Sequence, residues 1–387
     1  MKTIEQRFTV TYQYPVIFQR DIFAPDCNVL EDVLARDPEA TTPHRVLIFI
    51  DRGVEQKHPT LAKRITDWLI ARQEHIVLAA PIEHLPGNEF VKKHDAIAEK
   101  IVKIAYQAHI GRKDFFIAIG GGAVQDVVGY AAGILHRGTH MIRINTTTLS
   151  QADAGVGVKN GVDYGSCKNF LGTFAPPFAV INDATFLPTL SDKDWRNGIA
   201  EAVKVAAIKD ASFFAWLREH ADGLRMRDLD TMEAMIERSA ALHLAHICGG
   251  GDPFEHGSAR PLDFGHWSAH RLEAMSCYQI SHGEGVAVGV ALDSVYASML
   301  GLISPVDCSR IIGLLRDCGL HVWSDELTLR GTDGHLAILE GLRQFREHLG
   351  GRLNVTLPDG IGSKVEVHEM DEDILERAIR QLRERFA

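Results

Sequence analysis

Phe115-Phe116-Ile117-Ala118-Ile119-Gly120-Gly121-Gly122-Ala123-Val124-Gln125-Asp126 is the stretch that decides the fold. An unbroken apolar run reads as a strand buried on both faces, and it ends in three glycines. A helical pattern follows, with the acid Asp126 expected in its first turn. Glycines at a strand-to-helix turn let the backbone come close to a phosphate, and the helix behind supplies unpaired N–H groups and a positive dipole end. The stretch predicts a nucleotide or dinucleotide cradle.

Outward from it, strands and helices alternate. Val46-Leu47-Ile48-Phe49-Ile50 is a short buried strand ending at Asp51. Residues 59–73 read as a helix, 75–80 as a strand and 88–109 as a long amphipathic helix. The glycine turn leads into a helix through 135, and strands at 141–145 and 178–182 complete the set. That rhythm implies a parallel sheet with crossover helices. Before it, residues 7–23 contain alternating β-type residues (Phe8, Val10, Tyr12), which suggests strands at the domain's start. Beyond Pro188 the strand signals fade. Ser191-x-x-Asp194 caps a helix running to about 219, and helical patterns continue at 228–248, 264–276, 283–301, 305–318, 334–348 and 371–385. The expectation is a Rossmann-like α/β dinucleotide-binding domain at 1–188 and a mainly α-helical metal- and substrate-binding domain at 189–387.

Composition narrows the function classes. A chain of 387 residues is too long for one ordinary core, which agrees with two domains. A formal net charge of −10 argues against nucleic acid or an anionic membrane surface as the main partner, leaving small molecules. No apolar run approaches the roughly 18 residues needed to span a bilayer. Residues 1–7 carry no apolar leader core, and the six cysteines form no C-x-x-C pair. Together these predict a reduced, cytoplasmic protein.

Three places in the helical half carry candidate metal ligands. Glu201 lies in Gly198-Ile199-Ala200-Glu201-Ala202-Val203-Lys204, a helix of small residues, with Lys204 on the same face. An acid and an amine there make either an ion pair on a solvated face or a buried functional pair. His266 and His270 stand one turn apart, and His282 opens the next small-residue helix in Ser281-His282-Gly283-Glu284. Two histidines and a carboxylate suit Zn²⁺ or a similar first-row ion, and spacing leaves open which two, with His266 and His270 the tempting pair. Between the halves, Thr146, Thr147, Asp153, Lys159, Lys168 and Asn169 fall in polar, glycine-rich sequence that reads as loop, where sites are often assembled. Arg137 precedes the next strand and could reach a phosphate.

Taken together, these residues resemble the 3-dehydroquinate synthase-like sugar phosphate cyclases over nearly the whole chain, from Asp51 to Gly362. The markers are Gly120-Gly121-Gly122 with Asp126, Arg137-Gly138, Thr146-Thr147, Gln151-x-Asp153, Lys159, Lys168-Asn169, Ala200-Glu201-x-x-Lys204, Phe264-Gly265-His266 with His270, and His282-Gly283-Glu284. The resemblance implies that Glu201, His266 and His282 bind a divalent metal, Zn²⁺ or Co²⁺. It places His270 near the substrate instead, with Lys204, Lys159, Asn169 and Asp153. Arg137 resembles a phosphate-binding arginine that a partner subunit can contribute, so a homodimer is implied. Asp51, Glu89, Lys92, Gly121, Gly122, Asp126, Thr146, Thr147 and Lys168 are the implied NAD⁺ set. The implied activity is phosphate elimination from a seven-carbon sugar phosphate and aldol closure of a carbocycle.

The match breaks where substrate choice is made. True 3-dehydroquinate synthases grip a substrate carboxylate with a lysine and an arginine upstream of the Gly265-His266 segment. Counted back without gaps, those places fall on Ala245 and Ala259, with Arg260 beside the second. The usual asparagine is Asp263, and 345–354 lacks the family's C-terminal lysines. A missing cation and an added acid point to sedoheptulose 7-phosphate, which has no carboxylate. Competing readings are a 3-dehydroquinate synthase, which His270 suits, a polyol dehydrogenase and a non-catalytic relative.

Overall fold

Phe115–Gly120 is a central strand of a seven-stranded sheet in which every pairing is parallel. The structure is a computed structural model and describes residues 2–39, 42–93, 95–165, 167–249, 253–254, 262–348 and 351–386. It forms two compact units, the first Met1–Asn145 with Val158–Asp183 and the second Thr146–Gly157 with Ala184–Ala387.

In chain order the first unit holds β1 (Val16–Gln19), α1 (Val29–Leu34), β2 (His44–Asp51), α2 (Arg52–Lys57), α3 (Leu61–Ile70), β3 (Ile76–Leu78), β4 (Glu83–Leu85), α4 (Asp95–Gln107), β5 (Phe115–Gly120), α5 (Gly122–Ile134), β6 (His140–Asn145), β7 (Lys159–Tyr164), β8 (Cys167–Phe174) and β9 (Ala179–Asp183). The sheet order is β1-β9-β6-β5-β2-β3, with β4 also on β2. Central β5 is buried at every position, which is why its sequence is continuously apolar rather than alternating. Its Phe116 and Ala118 share one core cluster with Val127, Val128 and Ala131 of α5. At the glycine turn, the Gln125 amide donates to the carbonyls of Ala118, Gly120 and Ile144 at 3.0–3.2 Å. That one side chain ties the turn to the ends of β5 and β6.

The Rossmann-like expectation is met, with three local differences. Of the strands expected within 7–23, β1 forms and pairs with β9, whereas Phe8, Val10 and Tyr12 ahead of it form no strand and stay exposed. Alternation makes no ladder where no strand lies alongside. The 88–109 helix divides into a 3-10 turn at Glu89–Lys93 and α4. Lys159, Lys168 and Asn169, read as loop residues, lie on the antiparallel hairpin β7–β8. Its lysines, asparagines and glycines conceal the period of two.

The second unit holds α6 (Asp192–Lys209), α7 (Ala211–Glu219), α8 (Ala221–Arg225), α9 (Leu229–Gly249), α10 (His266–Met275), α11 (His282–Met299), α12 (Pro305–Asp317), α13 (Glu340–His348), β10 (Val355–Pro358), β11 (Lys364–Val367) and α14 (Glu372–Phe386). The linear sequence division at 188 falls within a 3-10 turn, Ala184–Thr189. The single helix expected from Ser191 to 219 is broken at Asp210, whose carboxylate accepts from the Ser212 and Phe213 N–H groups and caps α7. No helix among the described residues is long and apolar enough to cross a membrane.

Helices α10 and α11 meet almost backbone to backbone. A Cβ on Gly289 would lie 2.0 Å from the Gly265 carbonyl oxygen, and Gly265 itself has φ +78°, so neither position accepts a side chain. Asp293, one turn further along α11 and fully buried, takes the Gly265 N–H at 3.0 Å and the Trp267 Nε1–H at 2.9 Å. The start of α10 is thereby clamped on both sides of His266.

Burial pushes the Asp293 carboxyl up to about 7 from its ordinary 3.8, and its two N–H donors offset only part of that. A raised folded-state value means the native chain keeps a proton that the unfolded chain has lost. The associated stability is complete below about pH 4 and is lost as pH rises through about 7. Melting temperature measured against pH is therefore expected to slope downward over this interval, and Asp293→Asn to flatten the slope. An unchanged slope in the variant would assign it to other groups.

Candidate active site

Helix α6 is apolar over its inner turns, yet carries Glu201 and Lys204 there, only 1% and 3% exposed. They form an i,i+3 ion pair. A solvated face is thus ruled out for the pair, and burial of this kind needs compensation from further groups. Those groups arrive from two helix N-termini. His266, the first residue of α10, brings Nε2 to 3.6 Å from Glu201 Oε1, and His282, the first residue of α11, brings Nε2 to 3.2 Å. The ligand atoms of Glu201, His266 and His282 all lie within 4.8 Å of one another. Neither Glu201 oxygen has a hydrogen bond of good geometry, although both are sealed from water.

Local sequence explains how each side chain reaches this point. The capping box of Ser281 and Glu284 starts α11 at His282. The left-handed Gly265 starts α10 at His266. Burial by itself would raise the Glu201 carboxyl, but the charges of Lys204, His266 and His282 outweigh it and hold Glu201 well below the usual carboxylate range. Burial also opposes charge on Lys204, and Glu201 and Asp153 overcome it. His266 is lowered by burial and by Lys204, which favours a neutral imidazole with a free lone pair.

Glu273 belongs to none of the sequence markers. It is 2% exposed on α10 and its Oε1 accepts from His282 Nδ1–H at 2.8 Å, which aims Nε2 at Glu201. Burial opposes a proton on His282, but Glu273 and Glu201 raise it to about 10. An acid two turns after His266 on the same helix was the signal available. His270 stands exposed one turn after His266, its ring 5.8 Å from that of His282, and with Glu273 and His282 it makes a second, more open group of ligand types.

In the same unit, a small cleft is lined by Asp153, Glu201, Lys204, Val205, Ser239, His243 and Leu262. Asp153 belongs to a π-helical turn, Ser150–Ala154, rather than to a loop. Burial raises its carboxyl, and His243 and Lys204 draw it down below the ordinary value. Asp263 lies close enough for its charge to act on Lys204 and His266. Ala245 is exposed, while Ala259 and Arg260 lie outside the described residues. Thr147 shares reciprocal hydrogen bonds with Ser150 at the head of the π turn, and Thr146 is buried.

The remaining predicted residues belong to the first unit. Gly121 is the N-cap of α5 and Gly122 its first residue, with no side chain capping the N-terminus. Asp126 lies just past the first turn and pairs at 2.7 Å with Lys92, which is 3% exposed; burial lowers the lysine, but Asp126 and Glu89 raise it further. Glu89 stands 3.5 Å from Lys168 of β8. Asp51, at the end of β2, accepts from the Gly53 N–H at 2.7 Å. Asn169 adopts φ +52° with its N–H on Asp163, and its side chain lies over Gly161. Lys159 is exposed at the start of β7. Arg137 is exposed in a left-handed turn beyond the C-terminal end of α5. At ~1.5 Å per residue, that helix separates it by roughly 20 Å from Gly121 and Gly122.

The sequence profile of the 3-dehydroquinate synthase N-terminal domain matches residues 83–197, and that of the C-terminal domain matches residues 198–337. The 2-epi-5-epi-valiolone synthase of Streptomyces glaucescens is 35% identical over 93% of this chain and 88% of its own length. A 3-dehydroquinate synthase of Dichelobacter nodosus is 34% identical over 72% of this chain and 74% of its own. Among solved structures, ValA, a 2-epi-5-epi-valiolone synthase from Streptomyces hygroscopicus subsp. jinggangensis 5008 with NAD⁺ and Zn²⁺ bound, matches with a TM-score of 0.86 at 28% identity, covering 99% of this chain and 100% of that one. The two domain profiles, this full-length relative and the shared geometry lead to one conclusion: the chain belongs to the 3-dehydroquinate synthase family.

Proposed function

We propose that this chain is an NAD⁺- and divalent-metal-dependent sugar phosphate cyclase, a carbon–oxygen lyase that removes phosphate from sedoheptulose 7-phosphate and closes a carbocycle by intramolecular aldol reaction. The observation that carries the reading is the sealed Glu201 carboxylate whose Oε1 faces two imidazoles, the ligand atoms of the three residues lying within 4.8 Å of one another, a donor set suited to Zn²⁺ or Co²⁺. A cation there would be held by Glu201, His266 and His282, with Glu273 orienting His282. The uncapped N-terminus of α5 at Gly121 and Gly122 suits a pyrophosphate, and Asp51 at the end of β2 suits a ribose. Glu89, Lys92, Asp126, Thr146, Thr147 and Lys168 complete the NAD⁺ set by family resemblance.

When bound, the metal polarises a substrate hydroxyl and NAD⁺ takes and returns a hydride, so the reaction is redox-neutral overall. The chain's own groups do the rest. In the helical unit the Lys204 ammonium, held charged by Glu201 and Asp153, stabilises negative charge developing on substrate oxygens. Asp153, kept ionised, accepts hydrogen bonds from hydroxyls, and His270 stands ready to donate or accept a proton. In the first unit Lys159 and Asn169 are the substrate-binding groups, and Arg137, far along α5 from the glycine turn, is suited to a phosphate bound by a second copy in a homodimer. Ala245 and Asp263 support a substrate without a carboxylate, because no cation stands at the first place and an acid stands at the second.

The reading is tested by phosphate release from the purified protein with NAD⁺ and Zn²⁺ or Co²⁺, offering sedoheptulose 7-phosphate and 3-deoxy-arabino-heptulosonate 7-phosphate in parallel. Release from the first and not the second is expected. Release from the second alone would make the chain a 3-dehydroquinate synthase. A separate expectation concerns Glu273: Glu273→Gln should weaken Zn²⁺ binding by about 10- to 100-fold in chelator competition, because His282 loses the carboxylate that aims it. Since His282 is protonated up to about pH 10 between Glu273 and Glu201, Zn²⁺ uptake should also release a proton and strengthen as pH rises. Equal Zn²⁺ affinity in wild type and variant would remove Glu273 from this role.

A further inference from the structure

His243 is left unexplained by the metal cluster and by the family markers. It lies on α9, four residues after Ser239 and hence on the same face, and both line the cleft beside Glu201 and Lys204. Ala245, two residues on, is exposed on another face. At this end of the helix the described side chain that reaches the cleft is therefore an imidazole, where a carboxylate-binding site would need a fixed cation.

Its orientation is set from one side. His243 Nδ1 stands 2.7 Å from Asp153 Oδ1. On the opposite edge, Nε2 borders Gly157, where even an added Cβ would come no nearer than 3.4 Å. The Nδ1 contact ties the Asp153 carboxylate to α9. A carboxylate held in this way accepts hydrogen bonds from sugar hydroxyls and repels a substrate carboxylate. This gives the cleft a discriminating end that does not depend on Asp263.

We propose that His243 is a positioning residue that fixes the Asp153 carboxylate toward the cleft as the hydroxyl-accepting end of the substrate site. The inference rests on the sugar phosphate cyclase reading for its substrate, and the test separates the two. His243→Leu should lower kcat/KM for phosphate release from sedoheptulose 7-phosphate by roughly 10- to 100-fold, with zinc content and melting temperature unchanged. His243→Asn, whose amide nitrogen takes the place of Nδ1, should recover most of that loss. In an Asp153→Asn background, His243→Leu should cost little more, because the two residues act as a unit. Wild-type rates in His243→Leu, or a loss that multiplies with Asp153→Asn, would overturn the proposal. If neither sugar phosphate is turned over, the cyclase reading fails, and ¹⁵N-histidine spectra still decide the pairing. The His243 signal, assigned by its loss in His243→Asn, should shift in Asp153→Asn; an unmoved signal would refute the pair.

Discussion

A carboxylate buried in the middle of an apolar helix is the constraint on which the helical unit depends. Glu201 has lost water entirely, and its charge is sustained only by what surrounds it: Lys204 one turn along and the imidazoles of His266 and His282. Each compensating group comes from a different place in the chain. The charge is therefore stable only when α6, α10 and α11 are together, so this electrostatic requirement and the packing of the core demand the same arrangement.

The packing that delivers the histidines is itself constrained by glycine and by a second buried acid. Gly265 and Gly289 let α10 and α11 touch through their backbones, and Asp293 holds the peptide ahead of His266 and the indole behind it. Capping does the rest, since His266 and His282 are both first residues of helices whose starts are defined by a left-handed glycine and a capping box. A histidine at a helix N-terminus is held by the backbone of that turn as well as by its own contacts. Glu273 adds the last restraint, on the ring of His282.

The first unit follows a different logic. Its predicted cofactor residues gather around the glycine turn and the 3-10 turn Glu89–Lys93, where Lys92 with Asp126 and Lys168 with Glu89 balance charge locally. The hairpin β7–β8 brings Lys159, Lys168 and Asn169 onto a hydrogen-bonded ladder rather than a connector. Polar groups for catalysis need such support, because a site built on a flexible segment loses orientation.

What the sequence by itself determined is the order of strands and helices, the glycine cradle and the types of residue available for chemistry. Periodicity and end signals are local properties, readable in Phe115–Gly122 or Ser281–Glu284 without knowing what lies opposite. Local pattern also left errors where pairing decides: Phe8 to Tyr12 alternate but find no neighbouring strand, while β7 and β8 pair without an apolar alternation. Spacing could not choose among His266, His270 and His282, and the family resemblance made that choice. Only the tertiary structure decided that Glu201 and Lys204 are buried together rather than solvated, that Glu273 supports His282, and that His243 rather than Ala245 faces the cleft. Those are properties of distance and burial between segments far apart in the chain, and no local pattern encodes them.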